Sequence, residues 1–505
     1  RCNGRYSSNG GRRICYDENH FSHLVSKGRK SMKIRILLLT ALTLAWAPTF
    51  AGNVIFFLGD GMGISTITAA RIYAGQQLGK QGEEHDLAFD KFDNVALIKT
   101  YNVDAQVSDS AGTITAIMTG QKTRIGVVGV DATVDRDDCA AALTNSLPSI
   151  AELAEEEGYF TGVISTARIT HATPAGSYAH VPNRNWEDDS TLPIEAAKSG
   201  CRDIAQQLIE PKYGDGPDVI LGGGRANFMS QKDTDPEYPF KGGKRLNGNN
   251  LIEQWLAKDT NRRYVWNAEQ FREVVQEGVP NLRLMGLFEP SHMQFEADRE
   301  KDKGGEPSLV EMTKYALNQA KKSNKPYFLS IEGGRIDHGH HASNAYRALT
   351  DTVVFSDAVE WVVNNVNLED TLILVTADHS HTLTISGYPK RGNPILGLVE
   401  TVPPLGGTAT GPHGGIASTD AIGLPYTTLS YANGGGYRKN RPNLSKVDTR
   451  EPNYLQLSTV PMMAETHAGE DVAAFAIGLN SEKVRGVMEQ NELFGVMRGA
   501  LFPKK

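Results

Sequence analysis

The chain has 505 residues, 40% hydrophobic and 22% charged, a balance that excludes disorder, collagen and coiled coil and suffices for one large core or two. Lys and Arg total 52 against 59 Asp and Glu, so the net charge of −7 leaves no basic excess for nucleic-acid phosphates, and no nucleic-acid binding is expected. Length alone leaves the number of domains open.

Residues 1–31 show no hydrophobic period and precede Met32, so they read as an upstream leader outside the fold. From Met32 the basic string MKIR, the apolar stretch Ile36 to Ala47 and the small-residue exit Thr49-Phe50-Ala51 read as a signal peptide over 32–51. The apolar stretch falls short of the roughly 20 residues of a spanning helix. A periplasmic or secreted protein without a membrane anchor is expected, and the terminal VMRGALFPKK carries no hydrophobic tail.

Over 52–505, strand-length apolar runs alternate with helical segments. Strands are predicted at 54–58, 95–99, 159–164, 219–221, 283–288, 327–331, 372–375 and 473–477. Helices are predicted at 63–74, 110–119, 149–157, 192–210, 307–321, 341–364 and 481–496. The alternation is that of an α/β fold: a doubly wound, mostly parallel central sheet with helices on both faces. Residues 381–466 break the rhythm, because PLGGTATGPHGG and ANGGGYRKNRPN are rich in Gly, Pro, Thr and Asn; an insertion or small subdomain is expected there. Of four cysteines, Cys2 and Cys15 fall in the leader, leaving Cys139 and Cys201. In an oxidising compartment such a pair is typically bridged; two unrelated buried thiols are the alternative.

In an open α/β sheet, ligands gather at the carboxyl ends of the strands. Four loops there are unusually polar: Gly59-Asp60-Gly61-Met62-Gly63, Glu332 through His341, Ala377-Asp378-His379-Ser380-His381, and the segment with His171 and Thr173. Five of the thirteen His fall within 338–341 and 379–381, too dense a grouping for chance. Carboxylates and imidazoles crowded at one sheet edge repel one another unless cations neutralise them, and together they are a ligand set for zinc. Asp337 and His341 lie four apart and share a helix face. Taken alone that pair reads equally as a helix start with an Asp cap; several such sets at successive strand ends do not. Ser110, in Val107-Ser108-Asp109-Ser110-Ala111-Gly112-Thr113, is the candidate nucleophile. It opens a helix whose free N–H groups favour an anion such as phosphate, although serine is also an ordinary N-cap. No G-x-S-x-G elbow or Walker A string occurs, and the G-x-G-x-x-G pattern fails at Ile64.

The strings Gly59–Gly63, Asp109-Ser110-Ala111, Glu332–His341, Thr376–His381 and Glu465-Thr466-His467-Ala468-Gly469 resemble, in this order, those of the alkaline phosphatases, over about Asn53 to Met497. The resemblance implies hydrolysis of phosphate monoesters through a phosphoserine at Ser110, with inorganic phosphate as an inhibitory product. It implies one zinc ion at Asp337, His341 and His467, a second at Asp60, Asp378 and His379, and magnesium at Asp60, Thr173 and Glu332. Arg184 would grip the phosphate, with Asp109 orienting it; on sequence alone a surface salt bridge explains Arg184 as well. His171 and His338 stand where the enteric bacterial form has Asp and Lys and animal enzymes have this His pair. The animal likeness also implies a Cys139–Cys201 disulfide and a calcium site at Glu237, the Phe288 carbonyl, Glu289 and Glu306, although the spacing before Glu306 departs by two residues. Residues 381–466 correspond to a crown at a homodimer interface, where Tyr388 would reach the partner's active site. A phosphodiesterase of the same superfamily, which lacks the third-metal acid and the arginine, and an exported zinc-binding protein are the alternatives.

Overall fold

Val54, Ile55, Phe56, Phe57 and Leu58 are all at most 1% exposed, the unbroken burial of a parallel strand covered on both faces. In the computed structural model, which describes residues 51–402, 409–410 and 416–503, this segment is the middle of a ten-stranded sheet. Residues 1–50, where the leader and signal peptide are expected, and residues 403–415 apart from Ala409 and Thr410 lie outside the described residues. The strands are β1 (Asn53–Gly59), β2 (Asn94–Lys99), β3 (Phe160–Arg168), β4 (Val219–Gly223), β5 (Arg262–Val265), β6 (Arg283–Leu287), β7 (Tyr327–Gly333), β8 (Thr371–Ala377), β9 (Val472–Gly478) and β10 (Gly486–Glu489). Their order is β10-β2-β9-β8-β1-β7-β3-β4-β6-β5. All neighbours pair in parallel except β9, which is antiparallel to both β8 and β2.

One helical layer packs Ile64–Gln77, Leu309–Lys322 and Ala345–Val363 together; another joins Ser110–Thr119, Ile150–Glu156 and Glu492–Leu501. The expected doubly wound architecture is therefore present. Among the described residues, no helix is long and apolar enough to cross a membrane.

Local chemistry accounts for the departures from prediction. The helix predicted over 192–210 is two, Ile194–Lys198 and Ile204–Ile209, divided by Gly200 at φ 98° and by Cys201. Cys201 is bonded to Cys139, with the Cα atoms 6.0 Å apart. The helix predicted from 341 begins at Ala345, because Ser343 has φ 55° and the Asn344 side chain caps the new first turn; Arg335–His341 form a separate short helix. The helix predicted over 481–496 begins only at Glu492, since 486–489 pair with β2 as β10. Val487 in that edge strand is 58% exposed, so no periodic apolar face advertised it. β5 and the helices Leu251–Leu256 and Ala268–Glu277 were not predicted. Within 381–466, Leu383–Ile385, Leu429–Gly434 and Ser458–Pro461 form a separate small sheet.

Candidate active site

Every polar loop singled out in the sequence reaches the same sheet edge. Gly59 of β1 lies beside Gly333 of β7 and Ala377 of β8, so Asp60, Glu332 and Asp378 emerge side by side. β3 pairs with β7 at Ser165 and Glu332, delivering His171 and Thr173 to the same place. β9 runs the other way, so the residues preceding it, His467 included, stand at the edge where the other strands end. The ends of the insertion meet there too: His381 pairs with His467 across a short antiparallel bridge. Gly61 has φ 65°, donates its N–H to Asp378 Oδ1 at 3.0 Å, and carries no Cβ that would run into the His381 ring.

Asp337, His341 and His467 converge. Asp337 Oδ1 lies 3.3 Å from His341 Nε2 and 3.4 Å from His467 Nε2, and the two Nε2 atoms are 3.2 Å apart. His341 Nδ1 contacts the Glu465 carbonyl at 2.5 Å, and His467 Nδ1 contacts the Ser108 carbonyl at 2.8 Å. A carbonyl can only accept, so each Nδ1 carries the hydrogen and each Nε2 turns a lone pair inward. Two lone pairs and a carboxylate aimed at one point are the donor set of a cation, with the outer hydrogen bonds fixing the tautomers. His381 differs. Its Nε2 and Nδ1 contact Asp337 Oδ1 at 2.8 Å and Glu465 Oε2 at 2.6 Å; these carboxylates outweigh its burial and push its pKa up to about 10. A doubly protonated ring has no lone pair for a metal, so His381 orients Asp337. Burial alone would raise the Asp337 pKa, but His341, His381 and His467 hold it well below the usual range.

Asp60, Asp378 and His379 form a second group. His379 Nδ1 faces the Ser380 carbonyl at 3.3 Å, leaving Nε2 as a lone pair 3.3 Å from Asp378 Oδ2, 3.5 Å from Asp60 Oδ1 and 3.2 Å from Ser110 Oγ. Asp60, Glu332 and His171 form a third group, with the Thr173 hydroxyl beside Glu332. Both Asp60 carboxyl oxygens, Asp378 Oδ2, Glu332 Oε1 and Thr173 Oγ1 are buried without a hydrogen-bond partner among the described residues. Bare buried carboxylates are costly. Burial, followed by the charges of Asp378, Asp337 and Glu332, drives the Asp60 pKa well above the carboxylate range. Burial pushes Glu332 up to about 7 and raises Asp378 as well. These residues fit divalent cations, which would satisfy the orphaned oxygens and reverse those shifts.

Ser110 opens the helix Ser110–Thr119, capped by Asp109. Asp109 Oδ1 accepts from the Gly112 and Gly126 N–H groups, each at 3.1 Å, while Oδ2 accepts from Arg184 Nη1 at 2.9 Å. Burial would raise the Asp109 pKa; Arg184 and the two backbone donors lower it overall. Arg184, ion-paired with Asp109, lines a cavity of about 310 Å³ together with Ser110, His171, His338 and His467.

The pattern of the alkaline phosphatase family matches residues 51–502. The chain belongs to the alkaline phosphatase family. The tissue-nonspecific isozyme of alkaline phosphatase from Gallus gallus is 44% identical over 453 residues, 87% of this chain and 82% of its own. Alkaline phosphatase from Gadus morhua is 41% identical over 451 residues, 87% of this chain and 90% of its own. Among solved structures, Thermus thermophilus alkaline phosphatase matches with a TM-score of 0.62 at 22% identity, covering 90% of this chain and 92% of its own. The enzyme of the Antarctic bacterium TAB5 gives 0.59 at 22%, covering 90% and 99%; these two bear on the fold alone. This family member is a metal-dependent phosphomonoesterase.

Elsewhere the phosphatase departs from the sequence reading at one acid. Glu237 and Glu289 group with Asp302, not with Glu306. Asp302 comes directly after the short turn Arg299–Lys301, and both its carboxyl oxygens lack partners among the described residues; Glu306 Oε1 instead accepts from the Gln294 N–H at 2.9 Å. Burial, reinforced by Asp302 and Glu237, pushes Glu289 up to about 8. Phe288 is buried beside it, and Tyr388 is 81% exposed at φ 46°. The sequence reading gave no role to His381, Glu465 or His292. The first two lay inside motifs already noticed; His292 stands alone after β6 and carried no signal.

Proposed function

We propose that this phosphatase hydrolyses phosphate monoesters through a phosphoserine at Ser110. Asp337, His341 and His467 would hold one zinc ion, Asp60, Asp378 and His379 a second, and Asp60, Thr173 and Glu332 a magnesium ion. The observation that carries this reading is two groups of acids and imidazoles, Asp337 with His341 and His467, and His379 with Asp60 and Asp378, whose nitrogens lie within 3.5 Å of the carboxylate oxygens, with both Asp60 oxygens and Asp378 Oδ2 lacking a partner among the described residues. When bound, the cations supply positive charge that stabilises an ionised serine and an oxygen leaving phosphorus.

The chain itself binds and orients. Arg184 presents a planar fork to two phosphate oxygens, held in place by Asp109. The unpaired N–H groups at the start of the helix Ser110–Thr119 add attraction for the anion. Ser110 Oγ attacks phosphorus in line: its bond to phosphorus forms as the ester oxygen departs with the alcohol. Water then displaces Ser110 from the opposite side, releasing inorganic phosphate. Phosphate meets the same groups as the substrate and therefore inhibits. Contacts concentrated on the phosphoryl group support a broad range of alcohols.

We read the assembled enzyme as an exported homodimer, with Tyr388 in the 381–466 crown reaching the partner's site and calcium held by Glu237, Glu289, Asp302 and the Phe288 carbonyl. The test of the central reading is Ser110→Ala: metal content retained, and turnover of a nitrophenyl phosphate monoester reduced at least about a thousandfold. Full turnover in that variant, or faster hydrolysis of the matching diester by the wild type, overturns it.

A further inference from the structure

Glu465 belongs to none of the ligand groups, yet it reaches the first of them along several routes. It is 1% exposed and stands two residues before His467, at the end of the 381–466 insertion. Its backbone is tied to His341 in both directions. His341 Nδ1 donates to the Glu465 carbonyl at 2.5 Å, and the Glu465 N–H donates to the His341 carbonyl at 2.9 Å. Its carboxylate reaches Asp337 through a single ring: Oε2 accepts from His381 Nδ1 at 2.6 Å, and His381 Nε2 donates to Asp337 Oδ1 at 2.8 Å. Oε1 accepts from both the N–H and the hydroxyl of Thr382, each at 2.6 Å. Thr382 lies at the start of the insertion, next to His381, which pairs with His467 across the short bridge.

We propose that Glu465 is the positioning residue of the first group, holding Asp337 through His381 and His341 through its own backbone at the spacing a cation needs. The inference rests on the reading of Asp337, His341 and His467 as a zinc site. Both partners of the His381 ring are carboxylates, which only accept, so the ring donates at both nitrogens. Turning it would break two bonds at once. The His340 ring, with centroids 4.8 Å apart, and the close approach of Gly61 also confine it. Asp337 is therefore oriented before a cation arrives, and little side-chain ordering is left for binding to accomplish.

The arrangement is specific to one group. Among the described residues Glu465 makes no hydrogen bond to Asp60, Asp378 or His379, whose neighbours are Gly61, Ser110 and the Ser380 carbonyl. Glu465→Gln keeps the size of the side chain and every backbone contact but has only one accepting oxygen. With that oxygen on Thr382, the amide N–H₂ faces His381 Nδ1; with it on His381, the N–H₂ meets the Thr382 N–H. Either way one buried donor loses its acceptor.

Zinc per chain is counted for wild type and Glu465→Gln against rising concentrations of a competing chelator, pyridine-2,6-dicarboxylate, at constant magnesium. In the variant one of the two zinc ions is held at least roughly tenfold more weakly, and the other as in the wild type. Thr382→Val, which removes only the hydroxyl donor, falls between them and carries the comparison alone should Glu465→Gln fail to fold. Both zinc ions weakened alike, the mark of a general loss of structure, or neither weakened, overturns the proposal while leaving the zinc reading intact. A wild type that holds no zinc overturns both.

Discussion

Replacing Arg184 by alanine isolates the contribution of the chain's own phosphate grip from that of the cations. Arg184 donates through Nη1 to Asp109 at 2.9 Å, leaving N–H groups directed at the cavity beside Ser110. A hydrogen bond to a charged group contributes about 1.5–3 kcal/mol, so two bonds to phosphate oxygens amount to about 3–6 kcal/mol. The lower end applies, because the cations of the site attract the same oxygens. A loss of about 3 kcal/mol is a fall in kcat/KM of about 10²-fold, with a matching rise in the inhibition constant of inorganic phosphate. Stability suffers less. Asp109 keeps the Gly112 and Gly126 N–H groups at 3.1 Å each, so its carboxylate is not left bare, and the cost stays below the roughly 3–5 kcal/mol of a severed buried pair. Steady-state hydrolysis of a nitrophenyl monoester, phosphate inhibition and a thermal melt are read on wild type, Arg184→Ala and Arg184→Lys. Lysine restores charge without the fork and falls between the other two. An alanine variant within about threefold of wild type in both kcat/KM and phosphate inhibition, at unchanged melting temperature, refutes the argument.

Chelation should abolish turnover and lower the melting temperature together, since both Asp60 oxygens, Asp378 Oδ2 and Glu332 Oε1 have no protein partner among the described residues; zinc plus magnesium should restore both, and an unchanged melt contradicts the cation reading. The Cys139–Cys201 bond spans 62 residues, for which chain entropy gives about 4 kcal/mol; the double alanine variant should lose stability on that scale in urea unfolding, and a loss under about 1 kcal/mol counts against it. Glu152 Oε1 lies 2.8 Å from His180 Nε2. Burial opposes protonation of His180, but Glu152 raises its pKa above the ordinary value, so the pair stabilises fully below the unfolded pKa of about 6.5 and loses its effect as pH rises through the higher folded value. Glu152→Gln should flatten that decline, and identical pH slopes for the two proteins exclude the linkage.

The sheet was legible because a strand covered on both faces is continuously apolar. Val54–Leu58 and Leu372–Val375 announce themselves, and all eight predicted strands are present at β1–β4 and β6–β9. β5 was not, since Arg262, Arg263 and Tyr264 are only partly buried, and neither was β10, whose Val487 faces outward. The helix ends at Gly200 and Ser343 are set by left-handed residues and a disulfide, which no hydrophobic period reports.

Ligand chemistry was suggested by residue type: Asp337 and His341 taken alone also read as a capped helix start, but several sets of acids and imidazoles at successive strand ends point to cations. The order of those strings along the chain was enough to indicate the family. The sequence could not say which acid stands where a long loop returns. Asp302 and Glu306 are both acids in one segment, and only the path after Arg299–Lys301 brings Asp302 to Glu237 and Glu289. Nor could it place His292, which meets His171 and His338 because β6 and β7 end at the same edge as β3. The amino-acid order by itself determined the layers and the gathering of acids and imidazoles at the strand ends, since these depend on local burial and side-chain type. Tertiary structure alone decided which imidazole carries a lone pair and which is pinned between two carboxylates, because a tautomer depends on partners, such as Glu465 for His381, that lie far away in the chain.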